Sequence, residues 1–333
     1  MLYTTTQVMR LKPKSQICTN PNKTSMWWPP TALMCAFLLC SGCEHKPNKH
    51  IKVQANANHD LPLVSLVAET LSKKQKKLLQ AWYESLGSAR PDESFGELTV
   101  RAAMYQLDKP YIDRAQTDDS ERLKVRLEDF QCVSFVESSL AVARCHWQGA
   151  PKETCFIQEL KEFRYRHGHM DGYASRLHYF SEWLSDNSVR NRLAPIGAKV
   201  GARPWVQPFH FMTQHPTLYP MLGVSSRLEA IMETEQKLSR KTHLVLERQH
   251  IAKAQRKFVS GDLVGLVGSK DGLLITHAGF ISRGQDAVPR LLHASSHHGR
   301  VLLTSSIAHY VKRQKKRRGI VVARPVAPNT KKP

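Results

Sequence analysis

Acidic residues are scarce in this sequence: 28 Asp and Glu residues stand against 49 Lys and Arg residues, and the 333-residue chain has a formal net charge of +21. No internal repeat is evident, which excludes solenoid and propeller folds. After residue 43 the sequence contains neither a CxxC nor an HExxH spacing, which argues against a zinc site. The apolar run of residues 32–40 is too short to span a bilayer.

The N-terminal part of the chain has the composition of an export signal. Basic residues precede the apolar run, and Ser41 and Gly42 follow it directly before Cys43. The order of basic, apolar and small residues is typical of a secretory signal, and a small pair before cysteine resembles a bacterial lipoprotein cleavage site. We therefore predict that residues 1–42 are removed and that Cys43 carries a lipid. A plain signal peptide that is cut nearby is the alternative.

Export determines where we expect the protein to act. Glu44 follows Cys43 in place of the aspartate associated with inner-membrane retention, so we expect a periplasmic, lipid-anchored protein in the outer rather than the inner membrane. Removal of the four basic residues before Cys43 lowers the charge from +21 to +17. Such a surface attracts anionic lipids or cell-wall polymers. Nucleic acid is not an expected partner because an exported protein rarely meets it.

The densest group of charges is the basic run of residues 312–318. It lies between two predicted β segments. A solvated hairpin loop is one interpretation, and a site for a phosphate-rich partner in the envelope is the other.

Three cysteines remain in the part of the chain that we expect to fold: Cys132, Cys145 and Cys155. If residues 132–146 form one helix, Cys132 and Cys145 are about 20 Å apart and cannot pair. Cys145 and Cys155 flank a turn and could form a disulfide, which would leave Cys132 free. Three reduced cysteines, two of them simply buried, are the alternative.

The order of predicted elements indicates an α+β protein. A polar tether of residues 43–61 leads to a helical segment of residues 62–96 and a larger domain of residues 97–326. Helices are predicted at residues 97–107, 132–146, 153–163 and 225–240, with a short strand at 123–127. Strands are predicted at residues 263–267, 273–281, 291–294, 301–310 and 320–326, and a disordered tail at 327–333. Helices followed by an antiparallel sheet define this class.

Cys132 opens a predicted helix, and the apolar positions of that helix belong in a core. A helix start presents unpaired N–H groups and a partial positive charge, which favour a thiolate. Two histidines, His277 and His293, lie in predicted strands among small and apolar neighbours. A nucleophile, a base and a group that orients the base are what acyl transfer requires. Cys132, His277 and His293 would take these roles in that order.

Residues 163–187 are rich in aromatic rings, arginine and histidine. Arg176, Tyr179 and Trp183 form one helical stripe. Flat rings beside a bidentate donor suit a ligand made of sugar and peptide, whereas the simpler interpretation is that the rings only edge the core.

The ordered motifs of the chain resemble a known family. Pro110-Tyr111, Phe130-Gln131-Cys132, Gly261-Asp262, His277-Ala278-Gly279 and His293-Ala294-Ser295 resemble the motifs of NlpC-type papain-like cell-wall cysteine hydrolases. The middle of the chain resembles their N-acetylmuramoyl-L-alanine amidase-like branch, through Tyr165-Arg166, Gly172-Tyr173, Ser175-Arg176, His178-Tyr179 and Trp183. The resemblance covers roughly residues 97–326.

This resemblance implies a papain-like fold, with helices and a nucleophile at a helix start packed on a C-terminal antiparallel sheet. It implies a monomeric cysteine amidase without a cofactor that cuts between the lactyl group of N-acetylmuramic acid and L-alanine in peptidoglycan fragments. Cys132 is then the nucleophile, His277 the base, His293 its orienter, and Tyr111 a donor in the oxyanion hole. The implied ligand-binding residues are Tyr165, Arg166, Tyr173, Arg176, His178, Tyr179 and Trp183. Gln131 stands where the family has aspartate.

Two other interpretations remain. The residues Cys145, His146, His167, His169, His297 and His298 could bind zinc, although their spacing fits no zinc motif. A catalytically inactive envelope lipoprotein that binds peptidoglycan or an anionic polymer is the alternative to an enzyme.

Overall fold

The computed structural model of the protein describes residues 70–88, 90–113 and 121–329. The predicted signal segment, Cys43 and the tether lie outside the described residues. In the ranges that are described, no helix is both long and apolar enough to cross a membrane.

Ten α-helices occur in the described part of the chain. Two of them begin with a capping box, in which Ser72 pairs with Gln75 and Ser94 pairs with Glu97. The helices are α1 Lys73–Leu86, α2 Phe95–Met104, α3 Cys132–Trp147, α4 Glu153–Arg164, α5 Phe180–Val189, α6 Gly197–Val200, α7 Phe211–Gln214, α8 Ser225–Ser239, α9 Ile251–Ala254 and α10 Ile307–Arg313. The helices predicted at 97–107, 132–146, 153–163 and 225–240 are confirmed as α2, α3, α4 and α8.

The strands form one antiparallel sheet in the order β2-β3-β8-β4-β5-β6-β7, with β1 paired to β8. They are β1 Leu193–Pro195, β2 Arg203–Trp205, β3 His243–Glu247, β4 Leu263–Val267, β5 Ile275–Arg283, β6 Pro289–Ser295, β7 Arg300–Leu303 and β8 Gly319–Pro325. The α+β prediction is therefore confirmed. The first three strands were not predicted, because they are short and leave little alternation to read.

Helix α3 lies at the centre of the protein and is buried along most of its length. Phe135, Val136 and Leu140 pack in the cluster that includes the sheet residues Ala278 and Phe280. The other side of α3, with Ala141 and Val142, packs with α1, α2 and α4. Packing on both sides holds the first residue of α3, Cys132, at a fixed place beside the sheet.

One predicted strand is wrong, and another is confirmed only in its first residues. Residues 123–127 are irregular, because the carbonyls of Lys124, Val125 and Leu127 accept hydrogen bonds from side chains of Arg164, Gln75 and Lys109 in place of a strand ladder. The predicted strand at 301–310 ends at Leu303, and α10 follows. The apolar residues Ile307 and Val311 are four positions apart, which is the spacing of a helix face.

The Gly261-Asp262 motif has a structural role. Gly261 has φ of +89°, and a Cβ at this residue would lie 2.3 Å from the Cα of Gly96 in α2. The buried carboxylate of Asp262 accepts hydrogen bonds from Arg324 and from the N–H of Val259. The motif therefore joins α2 and β8 to the start of β4. At the C-terminal side, the chain is still packed at residues 327 and 328, where the sequence predicted the tail to begin.

Candidate active site

Cys132 is the first residue of α3, as the sequence predicts. The residue before it, Gln131, donates its backbone N–H to Ser134 Oγ at 2.9 Å and so fixes the entry to the helix. The Gln131 amide donates to Asp113 Oδ1 at 3.0 Å. Glutamine at this position thus tethers the segment that follows Tyr111.

The Cys132 sulfur faces three backbone N–H groups, those of Ala278, Val133 and Cys132 itself. Part of the residue reaches solvent. Burial nevertheless raises the pKa of the Cys132 thiol, and the N–H groups together with the charge of Arg317 lower it by less. The expectation that the helix start would favour a thiolate is therefore wrong for the net effect, because the removal of the sulfur from water outweighs the N–H groups.

The two predicted histidines are neighbours on adjacent strands. His277 lies in β5 and His293 in β6, and His277 Nε2 is 2.6 Å from His293 Nδ1. The His293 ring also packs edge-on against Tyr310, with ring centres 5.3 Å apart. His293 is fully buried. In the part of the chain that is described, its Nε2 atom has no hydrogen-bond partner.

Both imidazoles are neutral at neutral pH. Burial lowers the pKa of His277 well below its usual value, and the neighbouring His293 and Arg317 lower it further. Burial lowers the pKa of His293 to about 4, with smaller effects from His298 and Arg317. A neutral His277 can accept a proton, which is the state that a base requires.

Cys132, at the start of α3, lies against β5 at the residue that follows His277. The sulfur faces the N–H of Ala278, the residue that follows His277. Side chains alternate along β5, so Ala278 packs toward α3, whereas His277 lies on the other face of the strand, opposite Leu266. Across the described residues, no hydrogen bond joins the sulfur to the His277 ring.

Tyr111 lies close to the thiol. Its strand-like segment pairs with Phe130, and its N–H donates to Gly299 O at 2.8 Å. Burial raises the pKa of Tyr111 to about 12, and the nearby Cys132 and Asp113 contribute. The phenol therefore keeps its proton and can donate it in a hydrogen bond.

A cavity of about 550 Å³ opens beside Gln131. Three of the predicted ligand-binding residues line it, namely Tyr173, Arg176 and His178, and so do residues that sequence reasoning did not single out, such as Lys270. The full lining consists of Asp113, Gln131, Tyr173, Arg176, His178, Phe211, Leu218, Tyr219, Met221 and Lys270. A mixture of rings and charged groups at this volume is typical of a small-molecule site.

The other four predicted ligand-binding residues do not line this cavity. Tyr165 and Trp183 are fully buried and donate to Glu121 and Glu137. Tyr179 donates to the buried Glu235 at 2.6 Å, and Arg166 forms an ion pair with Glu182. Their aromatic and basic character therefore serves the packing beneath the cavity, and the simpler interpretation of Tyr179 and Trp183 agrees with their burial.

Glu235 connects that packing to the cavity wall. Besides Tyr179, its carboxylate accepts hydrogen bonds from the N–H groups of Met212 and Thr213 and from the Thr213 hydroxyl. These bonds hold the start of α7, which presents Phe211 to the cavity. No pattern in the sequence marked Glu235, since a glutamate within a helix is ordinarily exposed.

A second cavity, of about 290 Å³, lies beside His277. It is lined by His277, Ser295, Ser296, His297, Tyr310, Gln314 and Arg317. Arg317 belongs to the basic run of residues 312–318, yet it is partly buried and donates to Thr276 Oγ1 and Gln314 Oε1. The sequence could not separate Arg317 from the other basic residues of the run.

A family model described as N-acetylmuramoyl-L-alanine amidase-like matches residues 101–320. The chain belongs to this family. A comparison with curated proteins gives no significant match.

Solved structures agree with membership in the amidase-like family. An N-acetylmuramoyl-L-alanine amidase from Bacteroides uniformis is 27% identical, with a TM-score of 0.65, and the alignment covers 70% of this chain and 99% of that one. A putative xylanase from Bacteroides fragilis is 30% identical, with a TM-score of 0.61 and coverage of 67% and 98%. A Legionella pneumophila protein shares the fold at 16% identity, with a TM-score of 0.57 and coverage of 77% and 97%.

The residues named for the zinc alternative are not assembled into one site. Cys145 forms a disulfide with Cys155. His297 and His298 pack against each other beside the second cavity. Within the described ranges, no group of three His, Cys, Asp or Glu residues is arranged to hold a metal ion.

Proposed function

We propose that this protein is a papain-like cysteine amidase that hydrolyses the bond between the lactyl group of N-acetylmuramic acid and L-alanine in peptidoglycan fragments. The observation that carries the proposal is the position of Cys132, whose sulfur faces the Ala278 N–H directly beside the His277–His293 pair. Membership in the amidase-like family and the similarity to the Bacteroides uniformis amidase support the same reaction.

In this mechanism, His277 is the base and His293 holds it in place. The required tautomer has His277 Nε2–H donating to His293 Nδ1, which leaves His277 Nδ1 free to accept the thiol proton. Because the Cys132 pKa is raised, the thiol loses its proton to His277 as the sulfur attacks the carbonyl carbon. This step requires the Cys132 sulfur and His277 Nδ1 to come within hydrogen-bond distance of each other.

The tetrahedral intermediate carries its negative charge on the former carbonyl oxygen. The Cys132 backbone N–H and the protonated Tyr111 hydroxyl are the donors that we assign to this oxyanion. Collapse of the intermediate transfers the proton from His277 to the leaving amine and leaves a thioester on Cys132. Water then attacks the thioester carbonyl carbon and gives a proton to His277. The C–S bond breaks, the muramic acid carboxyl group is released, and His277 returns the proton to the Cys132 sulfur. No step needs a metal or a cofactor.

We assign the larger cavity to the muramyl side of the substrate. Tyr173 and Tyr219 offer ring faces for a sugar, and Arg176, His178 and Lys270 offer polar groups around them. Glu121 forms an ion pair with the Arg176 guanidinium, and the positive charge of Arg176 is therefore largely balanced within the protein. The cavity suits a small fragment such as an anhydro-muropeptide better than an intact glycan strand.

We further propose that the protein acts in the periplasm, anchored by a lipid on Cys43 in the outer membrane. The disulfide between Cys145 and Cys155 supports export, because disulfides persist in oxidising compartments. Metabolic labelling with a radioactive fatty acid should mark the wild-type chain and leave Cys43→Ser unlabelled. Equal labelling of both chains, or none, would refute the anchor.

The amidase proposal is tested with an anhydro-muropeptide. The wild type should release free stem peptide, detected by mass spectrometry, whereas Cys132→Ala and His277→Ala should release none above background. His169→Ala is the matched control, because His169 is exposed and does not line either cavity. If the wild type and Cys132→Ala are equally inactive, the proposal fails.

One observation favours the alternative, an inactive envelope lipoprotein that binds peptidoglycan. The thiol has a raised pKa and is not hydrogen-bonded to His277. In that case the wild type would bind the muropeptide without product formation, and Cys132→Ala would bind it with the same affinity.

A further inference from the structure

The smaller cavity, beside His277, has one cationic side chain with unused donors. Arg317 donates through Nη1 to Thr276 Oγ1 and through Nε to Gln314 Oε1. Its Nη2 group makes no hydrogen bond or ion pair to any residue that the structure describes, and the side chain lines the cavity. A guanidinium fixed by two bonds, with its remaining donors toward a cavity, can bind a carboxylate with little loss of side-chain entropy.

The geometry of the reaction decides which part of the substrate reaches this cavity. Gln131, the residue before Cys132, lines the larger cavity, whereas His277, the residue before Ala278, lines the smaller one. The Cys132 sulfur faces the Ala278 N–H, and Arg317 of the smaller cavity is close enough for its charge to act on the thiol. The base must deliver its proton to the leaving amine, so the leaving group lies on the His277 side. The departing stem peptide therefore extends into the smaller cavity.

We propose that Arg317 binds a free carboxylate of the departing peptide, that of the acidic residue next to the alanine, and so makes the enzyme specific for peptides with a free acid at this position. The inference rests on the proposed amidase function. Tyr310, which is neutral, lines the same wall beside Arg317. Among the residues that line this cavity there is no Asp or Glu to compete for Arg317.

The experiment compares two anhydro-muropeptides that differ only in whether the carboxyl group of the second residue is free or amidated. We expect the wild type to prefer the free acid by about ten- to hundredfold in kcat/KM, the size of a lost charge-assisted hydrogen bond. Arg317→Gln should bring the ratio close to one, and Arg317→Lys should restore part of it. Arg318→Gln is the matched control, because Arg318 lies in the same turn, is exposed and carries the same charge.

A merely structural role for Arg317 is distinguishable from recognition. If Arg317→Gln lowers kcat/KM for both substrates equally and leaves their ratio at the wild-type value, the inference is overturned. An effect of Arg317 on the thiol alone would give that same result, because it acts on both substrates.

Failure of the proposed function has a different signature. Titration calorimetry of the full chain with the free acidic dipeptide and its amide measures the subsite without catalysis. If the wild type cleaves neither muropeptide but binds the acid more tightly than the amide, and Arg317→Gln removes that preference, the amidase proposal fails and the subsite stands. If the wild type shows no preference in either assay, the subsite is refuted.

Discussion

Raising the pH is expected to increase the alkylation rate of Cys132 steeply, because the thiol is protonated at neutral pH. Burial raises its pKa above the ordinary value of 9.0, despite the N–H groups at the helix start and at Ala278. With its pKa above the ordinary value, the thiol is almost entirely protonated at pH 7. The rate should therefore rise about tenfold per pH unit between roughly pH 7 and pH 9.

The assay follows iodoacetamide labelling of the full chain by mass spectrometry of the peptide that contains Cys132. A small free thiol in the same tube reports the reagent's own pH dependence. The disulfide keeps Cys145 and Cys155 out of the reaction. His277→Ala should change the profile little, because the ring is not hydrogen-bonded to the sulfur.

A flat labelling rate between pH 5 and 8 that is lost in His277→Ala would refute this reasoning. Such a plateau is the signature of a thiolate–imidazolium pair, and it would mean that burial does not control the thiol. The proposed nucleophile would remain the same, but the proton would leave Cys132 before the substrate arrives.

Three further predictions concern stability. Cys155→Ser should lower the free energy of unfolding in urea by about 2.7 kcal/mol, because the disulfide closes a loop of 10 residues, and reductant should reproduce the loss in the wild type only. Glu137→Gln should cost about 3–5 kcal/mol in the same assay, since it leaves Arg164 buried without its charge partner, whereas Glu233→Gln at an exposed pair should cause no measurable change. Between pH 8 and pH 5 the free energy of unfolding of the wild type should fall by about 2 kcal/mol through His293. The lowered pKa of about 4 keeps His293 neutral in the folded protein, whereas in the unfolded chain it takes up a proton below pH 6.5. The free energy of unfolding of His293→Gln should fall by correspondingly less over the same pH range.

Much of the fold followed from local pattern. The apolar spacing within residues 132–146 predicted α3, and strands β4, β5, β6 and β8 followed from short alternating or apolar runs. The prediction at residues 123–127 failed for a non-local reason. Leu123 and Leu127 are buried as a strand pattern requires, but their segment is satisfied by side chains from α1, α4 and Lys109, and sequence spacing does not report such distant partners.

The candidate site divides in the same way. Cys132, His277 and His293 were recognisable by residue type, by order and by resemblance. The structure pairs the two histidines and sets the Cys132 sulfur against the Ala278 N–H. The ligand-binding predictions mixed two groups that look alike in sequence. Tyr173, Arg176 and His178 line a cavity, whereas Tyr165, Tyr179 and Trp183 are buried against Glu121, Glu235 and Glu137. An aromatic residue next to a charged residue looks the same in the sequence whether it lines a cavity or is buried in the core.

The sequence by itself determined the family and the α+β class, because these depend on residue types in a fixed order. Only the tertiary structure decided the protonation of the thiol, since burial is the sum of contacts from α3, β5 and their neighbours. It also decided which member of the basic run faces His277. Arg317 differs from Arg318 only in the direction that the turn after α10 gives to each side chain.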